Sequence, residues 1–245
     1  MSVLQNMTFT QKGWIIDEKA VVLFGSGVDS TTCLALAIDK FGVDNVIALT
    51  LSYGQKHEKE ILAAQKIINH YHVSSEELDV AKIFAGSNCS LLRHSNEEIP
   101  HGSYEQQQQQ AGAHPVSTYV PFRNGLFLSI AASIGLSHGC SYIYYGAHRD
   151  DAAGNAYPDC SEAFHQAMNT AIFEGSGQEI SIVAPFISKT KEEVVRTGLS
   201  LHVPYELTWS CYEGNETPCG TCGTCIDRMH AFEANGITDP LLSKD

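Results

Sequence analysis

Four cysteines near the end of the chain, Cys211, Cys219, Cys222 and Cys225, follow the spacing C-x7-C-x2-C-x2-C, with Gly214, Pro218, Gly220 and Gly223 supplying turns between them. Thiolates this close in sequence can close a tetrahedral zinc site with no open coordination position, which is how structural zinc is held. Two other readings stand beside zinc. A ferredoxin-type cluster would want a further cysteine soon after Cys225, and none follows; a redox dithiol needs only two. The remaining cysteines, Cys33, Cys89, Cys140 and Cys160, are scattered, so the set does not read as a disulfide framework.

A second group of residues is suited to anions. The run Gly25-Ser26-Gly27-Val28-Asp29-Ser30-Thr31 follows an apolar stretch at 20–24 and precedes Leu34, Ala37, Ile38 and Phe41 at helical spacing. A strand, a turn of small residues and a helix in that order bring backbone N–H groups and the positive end of a helix dipole toward phosphate oxygens. Asp29 or Ser30 is expected to cap the helix. No Gly-Lys-Ser or Gly-Lys-Thr follows, so this is not a Walker A loop, and the glycine spacing is not the dinucleotide fingerprint.

The elements that must position these groups alternate. After the first strand and helix come an apolar strand at 46–51, a helix around Ile61, Ala64 and Ile68, and a third strand near 77–80. From 86 to 117 the pattern dissolves into a polar stretch with Pro100, Pro115 and glutamines at 106–110, read as a long loop or lid. Order returns with Val120-Pro121-Phe122-Arg123-Asn124 and a helix on Leu126, Phe127, Ile130, Ala131 and Ile134. A strand at Tyr142-Ile143-Tyr144-Tyr145, a helix on Phe164, Ala167, Met168, Ala171 and Ile172, a strand at 180–184 and a helix opened by Lys189 complete the series. This alternation predicts an α/β fold, a doubly wound and mostly parallel sheet whose ligands bind at the carboxyl ends of the strands. Residues 1–205 would form that domain, and 206–245 a small zinc-binding segment packed on it.

Lys and Arg number 15 against 28 Asp and Glu, a formal charge of −13. Such a balance repels nucleic acid and anionic membrane, and no local basic patch overrides it. Residues 1–13 lack a basic start followed by an apolar core, and no apolar run has the length of a membrane span. The expected location is the cytoplasm, with neither nucleic acid nor membrane as partner.

The turn after the first strand resembles the Ser-Gly-Gly-x-Asp-Ser signature of PP-loop ATP pyrophosphatases, with an adenine nucleotide alpha hydrolase-like fold. Gly27, Asp29 and Ser30 fit. Gly25 and Ser26 stand where Ser then Gly are usual, so one hydroxyl moves by a residue; either the loop tolerates the swap or phosphate binding is altered. Further motifs accompany it: Gly27-Val28-Asp29-Ser30-Thr31-Thr32-Cys33-Leu34, Ser52-Tyr53-Gly54-Gln55 with His57, Val120-Pro121-Phe122-Arg123-Asn124, Tyr157-Pro158-Asp159-Cys160, and Leu207-Thr208-Trp209-Ser210-Cys211-Tyr212 with the cysteines. In this order they make the chain as a whole similar to the QueC family of queuosine biosynthesis.

The resemblance implies an ATP-dependent ligase that turns 7-carboxy-7-deazaguanine and ammonia into the nitrile by way of an adenylated carboxylate and an amide. It implies Phe24, Gly25, Ser26, Gly27, Val28, Asp29, Ser30 and Thr31 around the ATP phosphates, with Asp29 a magnesium ligand. Leu49 and Tyr53 would flank adenine or ribose. Asp29, Ser30, Arg123 and Lys189 would be catalytic, the two cations neutralising phosphate or carboxylate charge. Arg123, Asn124, His148, Asp151, Tyr157, Asp159 and Cys160 would hold the deazaguanine. One zinc per chain and a homodimer are also implied. Plainer readings stand beside these: Arg123 as a helix brace, Lys189 as a solvated helix-start lysine, His57, His148 and His165 as satisfied histidines, Cys160 as packing. Two rival functions remain as well, a relative that delivers the activated acyl group to a protein amine and a nucleotide-binding or zinc-scaffold protein without turnover.

Overall fold

The computed structural model describes residues 7–10, 13–16, 18–56, 58–112 and 114–242. His57 lies outside the described residues. A short antiparallel hairpin, β1 (Met7–Thr10) and β2 (Gly13–Ile16), precedes the main sheet.

That sheet contains β3 (Ala20–Leu23), β4 (Val46–Ser52), β5 (Ser74–Asp79), β6 (Tyr142–Tyr144) and β7 (Ser181–Val183) in the order β5-β4-β3-β6-β7, with every neighbouring pair parallel. Ala20 lies opposite Val46 on one side and Tyr142 on the other. β3 is central because its side chains can be buried on both faces. Ala20 and Val22, with Phe24 just beyond the strand, enter one core, and Val21 and Leu23 enter the other. The first core is covered by α1 (Val28–Phe41), α2 (Lys59–Tyr71) and α6 (Lys191–Ser200) through Cys33, Leu34, Ala64, Ile67 and Val194. The second is covered by α4 (Arg123–Ser137) and α5 (Glu162–Gly175) through Leu128, Ala131, Phe164 and Met168.

The strand order reverses at β3, so the chain leaves β3 and β6 toward opposite faces and a crevice opens between their carboxyl ends. The doubly wound sheet is therefore as expected, and it fixes where the site must be. β5 begins earlier than the expected 77–80. It is an edge strand of sequence SSEELD, mostly exposed, so no buried period marks its start.

Three local expectations are corrected. The stretch at 86–117 is not loop throughout, because the glutamines sit in α3 (Tyr104–Ala111). Ser103 accepts from the Gln106 N–H while the Gln106 side chain accepts from the Ser103 N–H, a capping box that fixes the helix start. Lys189 does not open α6: Thr190 is its N-cap, paired reciprocally with Glu193, and Lys191 is the first helical residue. Neither Asp29 nor Ser30 caps α1, whose N-cap is Gly27 without a side-chain bond. The Ser30 hydroxyl instead accepts the Gly25 N–H at 3.2 Å and donates to the Gly27 carbonyl, holding the turn closed.

The last helix, α7 (Gly223–Ala234), packs on α6. From it the buried Arg228 makes a bidentate pair with Asp239 at 2.6 and 2.8 Å and donates to the Thr208 hydroxyl at 2.6 Å. A buried, fully hydrogen-bonded pair of this kind costs about 3–5 kcal/mol to break from one side, so it anchors the segment that carries the cysteines. Among the described residues no helix is long and apolar enough to cross a membrane.

Candidate active site and cysteine centre

The crevice at the reversal point is a cleft lined from β3, β4, α1, α2, α3, α4, α6, α7, the loop after β6 and the segment around Cys211. Its floor is the turn after β3. Ser26 sits there at φ +61°, a left-handed conformation that costs a residue with a side chain about 1 kcal/mol or more. Its buried hydroxyl turns away from the cleft and donates to the Glu60 carbonyl at 2.8 Å, and its own carbonyl accepts the Trp209 N–H at 3.1 Å. The exchange of Gly25 and Ser26 thus leaves a glycine facing the cleft and a hydroxyl tying the turn to α2. Gly146, after β6, presses on the same turn: a Cβ there would lie 2.9 Å from the Asp29 carbonyl carbon and 3.0 Å from the Ser30 nitrogen.

Asp29 is the hub of the charged end. Lys191 from α6 forms a close ion pair with its Oδ2, and His148 Nε2 stands 3.8 Å from its Oδ1 and 3.3 Å from Asp151 Oδ1. Burial pushes the Asp29 carboxyl up, but Lys191 and His148 more than offset this and hold it below its ordinary value. Burial works against the Lys191 ammonium, and the carboxylates of Asp29, Asp227 and Asp151 outweigh it, so the charge is held. Burial raises Asp151 and Asp227, which face the same group of charges. The buried Oδ1 of Asp29 makes no hydrogen bond, so one oxygen is left for a ligand or cation.

The other end is aromatic. The Arg123 guanidinium lies 5.1 Å from the Tyr53 ring and 6.0 Å from that of Phe127. Asp159 accepts the Asn124 N–H at 2.9 Å at the start of α4, and the Asn124 amide donates to the Asp159 carbonyl and the Cys160 sulfur, each at 3.2 Å. Tyr157 bonds the Thr118 hydroxyl at 2.6 Å, and Tyr104 bonds Tyr212 at 2.8 Å. Glu60 lines the same cleft, and burial pushes its carboxyl up to about 7 against the opposing pull of Arg123.

Of the residues expected at the site, Phe24, Gly25, Gly27, Asp29, Ser30, Leu49, Tyr53, Arg123, Asn124, Asp151, Tyr157 and Cys160 line the cleft. Ser26, Val28, Thr31, His148 and Asp159 stand behind the lining, with Thr31 bonded to the Gly27 carbonyl at 2.7 Å and His148 almost wholly buried. Lys189 is outside it, and Lys191 occupies the place assigned to that charge. Lys191, Glu60, Asp227 and Tyr104 are missed by the sequence reading, which names Tyr212 only within a motif and gives it no site role. A Thr-x-x-Glu box at 190–193 was the available signal for Lys191; the others come from segments that only the fold unites.

The four cysteine sulfurs all lie within 4.8 Å of one another, the only metal-competent group of its kind among the described residues. Cys219 and Cys225 sulfurs are 4.0 Å apart, close to the edge of roughly 3.8 Å for a tetrahedron with metal–sulfur bonds near 2.3 Å. The Cys219 and Cys222 N–H groups donate to the Cys211 and Cys219 sulfurs, each at 3.3 Å, which favours the thiolate forms a metal needs. The donor set fits a metal ion with no fifth ligand.

A family model described as "Queuosine biosynthesis protein QueC" matches residues 19–236. A 7-cyano-7-deazaguanine synthase of Archaeoglobus fulgidus is 42% identical over 93% of this chain and 91% of its own length. One from a Marinomonas species is 40% identical over 92% and 98%, and one from Psychromonas ingrahamii 35% over 94% and 100%. A solved NMN synthetase from Francisella tularensis is 15% identical at a TM-score of 0.46 over 80% of this chain and 66% of that one, a likeness too low to bear on the fold.

Proposed function

This chain belongs to the QueC family, and on that premise we propose that it is an ATP-dependent ligase converting 7-carboxy-7-deazaguanine and ammonia to 7-cyano-7-deazaguanine in queuosine biosynthesis. The observation that carries the reading is one cleft with a charged end, built on the Asp29–Lys191 pair, facing an aromatic end built on Arg123 and the tyrosines.

A carboxylate resists attack by ammonia, so its oxygen must first be made a leaving group. The carboxylate oxygen attacks the α-phosphorus of ATP, pyrophosphate departs, and the acyl-adenylate forms. Ammonia adds to the acyl carbon and AMP leaves, giving the amide. The amide oxygen is adenylated in turn, and loss of AMP with the N–H protons gives the nitrile. The turn from Gly25 through Ser30 offers backbone N–H groups at the start of α1 to the departing pyrophosphate, and the Ser30 hydroxyl holds that turn closed. Lys191 supplies a positive charge held in place by Asp29, so it need not reorganise as charge develops. Arg123 is suited to the substrate carboxylate, and Asp159 sets its direction by fixing the first turn of α4. Asn124, Tyr157 and Cys160 offer neutral polar contacts to the base. Lys189 is not retained in a catalytic role.

Asp29, with an unbonded Oδ1, and the neighbouring Asp151 would hold magnesium, which when bound spreads the phosphate charge. The four cysteines would hold one structural zinc per chain. We place the protein in the cytoplasm as a homodimer, with 206–245 as a segment packed on the ATP-binding domain. The buried Ser26 hydroxyl, absent from the cleft, keeps a second reading open, in which a protein amine takes the acyl group.

Mass spectrometry of bases, nucleotides and intact protein after incubation with 7-carboxy-7-deazaguanine, [15N]ammonium, magnesium and ATP separates these readings. The ligase reading expects labelled nitrile and AMP. AMP with a protein adduct and no nitrile supports the second reading, and absence of AMP leaves a binding protein.

A further inference from the structure

We propose that the glutamine-bearing helix α3 delivers a substrate-binding residue, Tyr104, that Tyr104, Tyr212 and Tyr157 form the wall receiving the flat heteroaromatic acid, and that the cysteine centre sets where this wall stands. The substrate named rests on the ligase reading above.

Tyr104 is the first residue of α3 and lines the cleft together with Tyr157 and Tyr212. Its hydroxyl meets that of Tyr212 at 2.8 Å, and its ring stands edge-on to Tyr157 with centroids 5.8 Å apart. Each phenol offers a flat face for stacking and a hydroxyl that can donate or accept. No charged side chain is contributed by these residues, in contrast to the Asp29 end. A neutral wall of this kind suits a planar ring edged with carbonyl, amino and ring N–H groups, which its part-buried hydroxyls can meet as donors or acceptors.

α3 cannot hold this position alone. It has eight residues, below the roughly 12–15 at which even favourable helices are marginal in water. Its docking comes from the cysteine loop. His101 pairs with Cys222 in an antiparallel bridge, and the Gly102 N–H donates to the Thr221 carbonyl at 2.8 Å. The His101 ring reaches Thr221 Oγ1 at 2.7 Å and Glu213 Oε1 at 3.1 Å. The buried Gln107 amide donates to the Gly102 carbonyl at 2.9 Å. At the start of α7, directly after Cys222, α3 and α7 touch closely: a Cβ on Gly223 would lie 2.8 Å from Gln107 Nε2 and 3.0 Å from Tyr104 Cε1. The clip thus runs from residues 101 and 102 to residues 221 and 222, and the loop that the four sulfurs close is the loop on which the tyrosine wall hangs.

The test uses the zinc-loaded full chain and the variants Tyr104→Phe, Tyr104→Ala and the unclipping pair His101→Ala/Thr221→Val, with KM for the acid, KM for ATP and kcat measured separately. Hydrogen exchange of 101–112 is followed before and after zinc is stripped by a chelator. Tyr104→Phe loses one hydrogen bond and is expected to raise KM for the acid about 5-fold, and Tyr104→Ala about 100-fold, with KM for ATP within about twofold. The unclipping pair raises KM for the acid in the same direction at unchanged zinc content. Zinc removal speeds exchange in 101–112 at least about tenfold while β3 and β4 stay protected. Unchanged KM for the acid in both Tyr104 variants, a parallel rise in both KM values, or exchange in 101–112 indifferent to zinc overturns the inference. Wild-type protein that never consumes the acid overturns the ligase reading and the substrate named here with it. Conversion by wild type beside unaffected variants overturns this inference alone.

Discussion

The two ends of the cleft are built in opposite ways. At one, Asp29, Asp151, Asp227 and Lys191 converge from α1, the loop after β6, α7 and α6, with His148 packed behind them. At the other, the Arg123 guanidinium lies against the Tyr53 ring, and Tyr104, Tyr157, Tyr212, Asn124 and Cys160 line the same cleft. The first end is organised to hold charge in place while it develops, which is what transfer of an adenylyl group demands. The second is organised to match a shape and a pattern of hydrogen bonds. Damage at the charged end should therefore appear in kcat, and damage at the aromatic end in KM for the base.

The largest effect should follow Asp29→Ala, a loss of about 10³-fold in kcat with zinc content unchanged, measured as AMP release and metal per chain. Activity near wild type would remove Asp29 from the machinery. Next is Lys191→Ala, with an expected loss of about 10²-fold, against Lys189→Ala within about twofold. The reverse ranking would return the catalytic charge to Lys189 and break the account of the charged end.

A pH test bears on Glu60, which lines the cleft. Its folded carboxyl titrates near 7, above the ordinary 4.5, because burial disfavours the charge and Arg123 only partly compensates. Between those values the folded chain keeps a proton that the unfolded chain releases. The stabilisation is therefore full below the ordinary value and is lost as pH rises through 7. Glu60→Gln, which cannot ionise, should flatten this slope and be more stable than wild type above pH 7 by about 3 kcal/mol. Denaturation curves for the two proteins that run parallel from pH 5 to 8 would rule out the burial argument. The smallest effect belongs to Ser26→Gly. Relief of the left-handed strain is offset by loss of the bond to the Glu60 carbonyl and by glycine's added chain entropy, so stability should stay within about 1 kcal/mol. A larger loss would mean that the hydroxyl does more than brace the turn.

The charged end was partly legible in the sequence because its centre is contiguous. A strand buried on both faces, a turn of small residues and a helix can be read from 20 to 41 without knowing the rest, and the cysteine spacing is local in the same way. What escaped is what only tertiary contacts bring together. Lys191 and Lys189 differ by two positions, and only the capping box at 190–193 decides which of them lies on the helix. The glutamine stretch carries almost no apolar signal, so its helix is marked only by Ser103-x-x-Gln106, and its docking by a clip to residues 120 positions away. Tyr104 and Tyr212 are 108 residues apart, and nothing local to either announces the other. β5 was misplaced for a related reason, since an exposed edge strand imposes no period on its residues.

The central claim is that ATP activates the substrate's own oxygen twice, once as carboxylate and once as amide. It is tested most directly with 7-carboxy-7-deazaguanine labelled with 18O at both carboxyl oxygens, following the label by mass spectrometry during turnover with ammonium and ATP. The account predicts unlabelled nitrile and two AMP molecules for each nitrile, each carrying one 18O. Label released to water or inorganic phosphate, with AMP unlabelled, would contradict it.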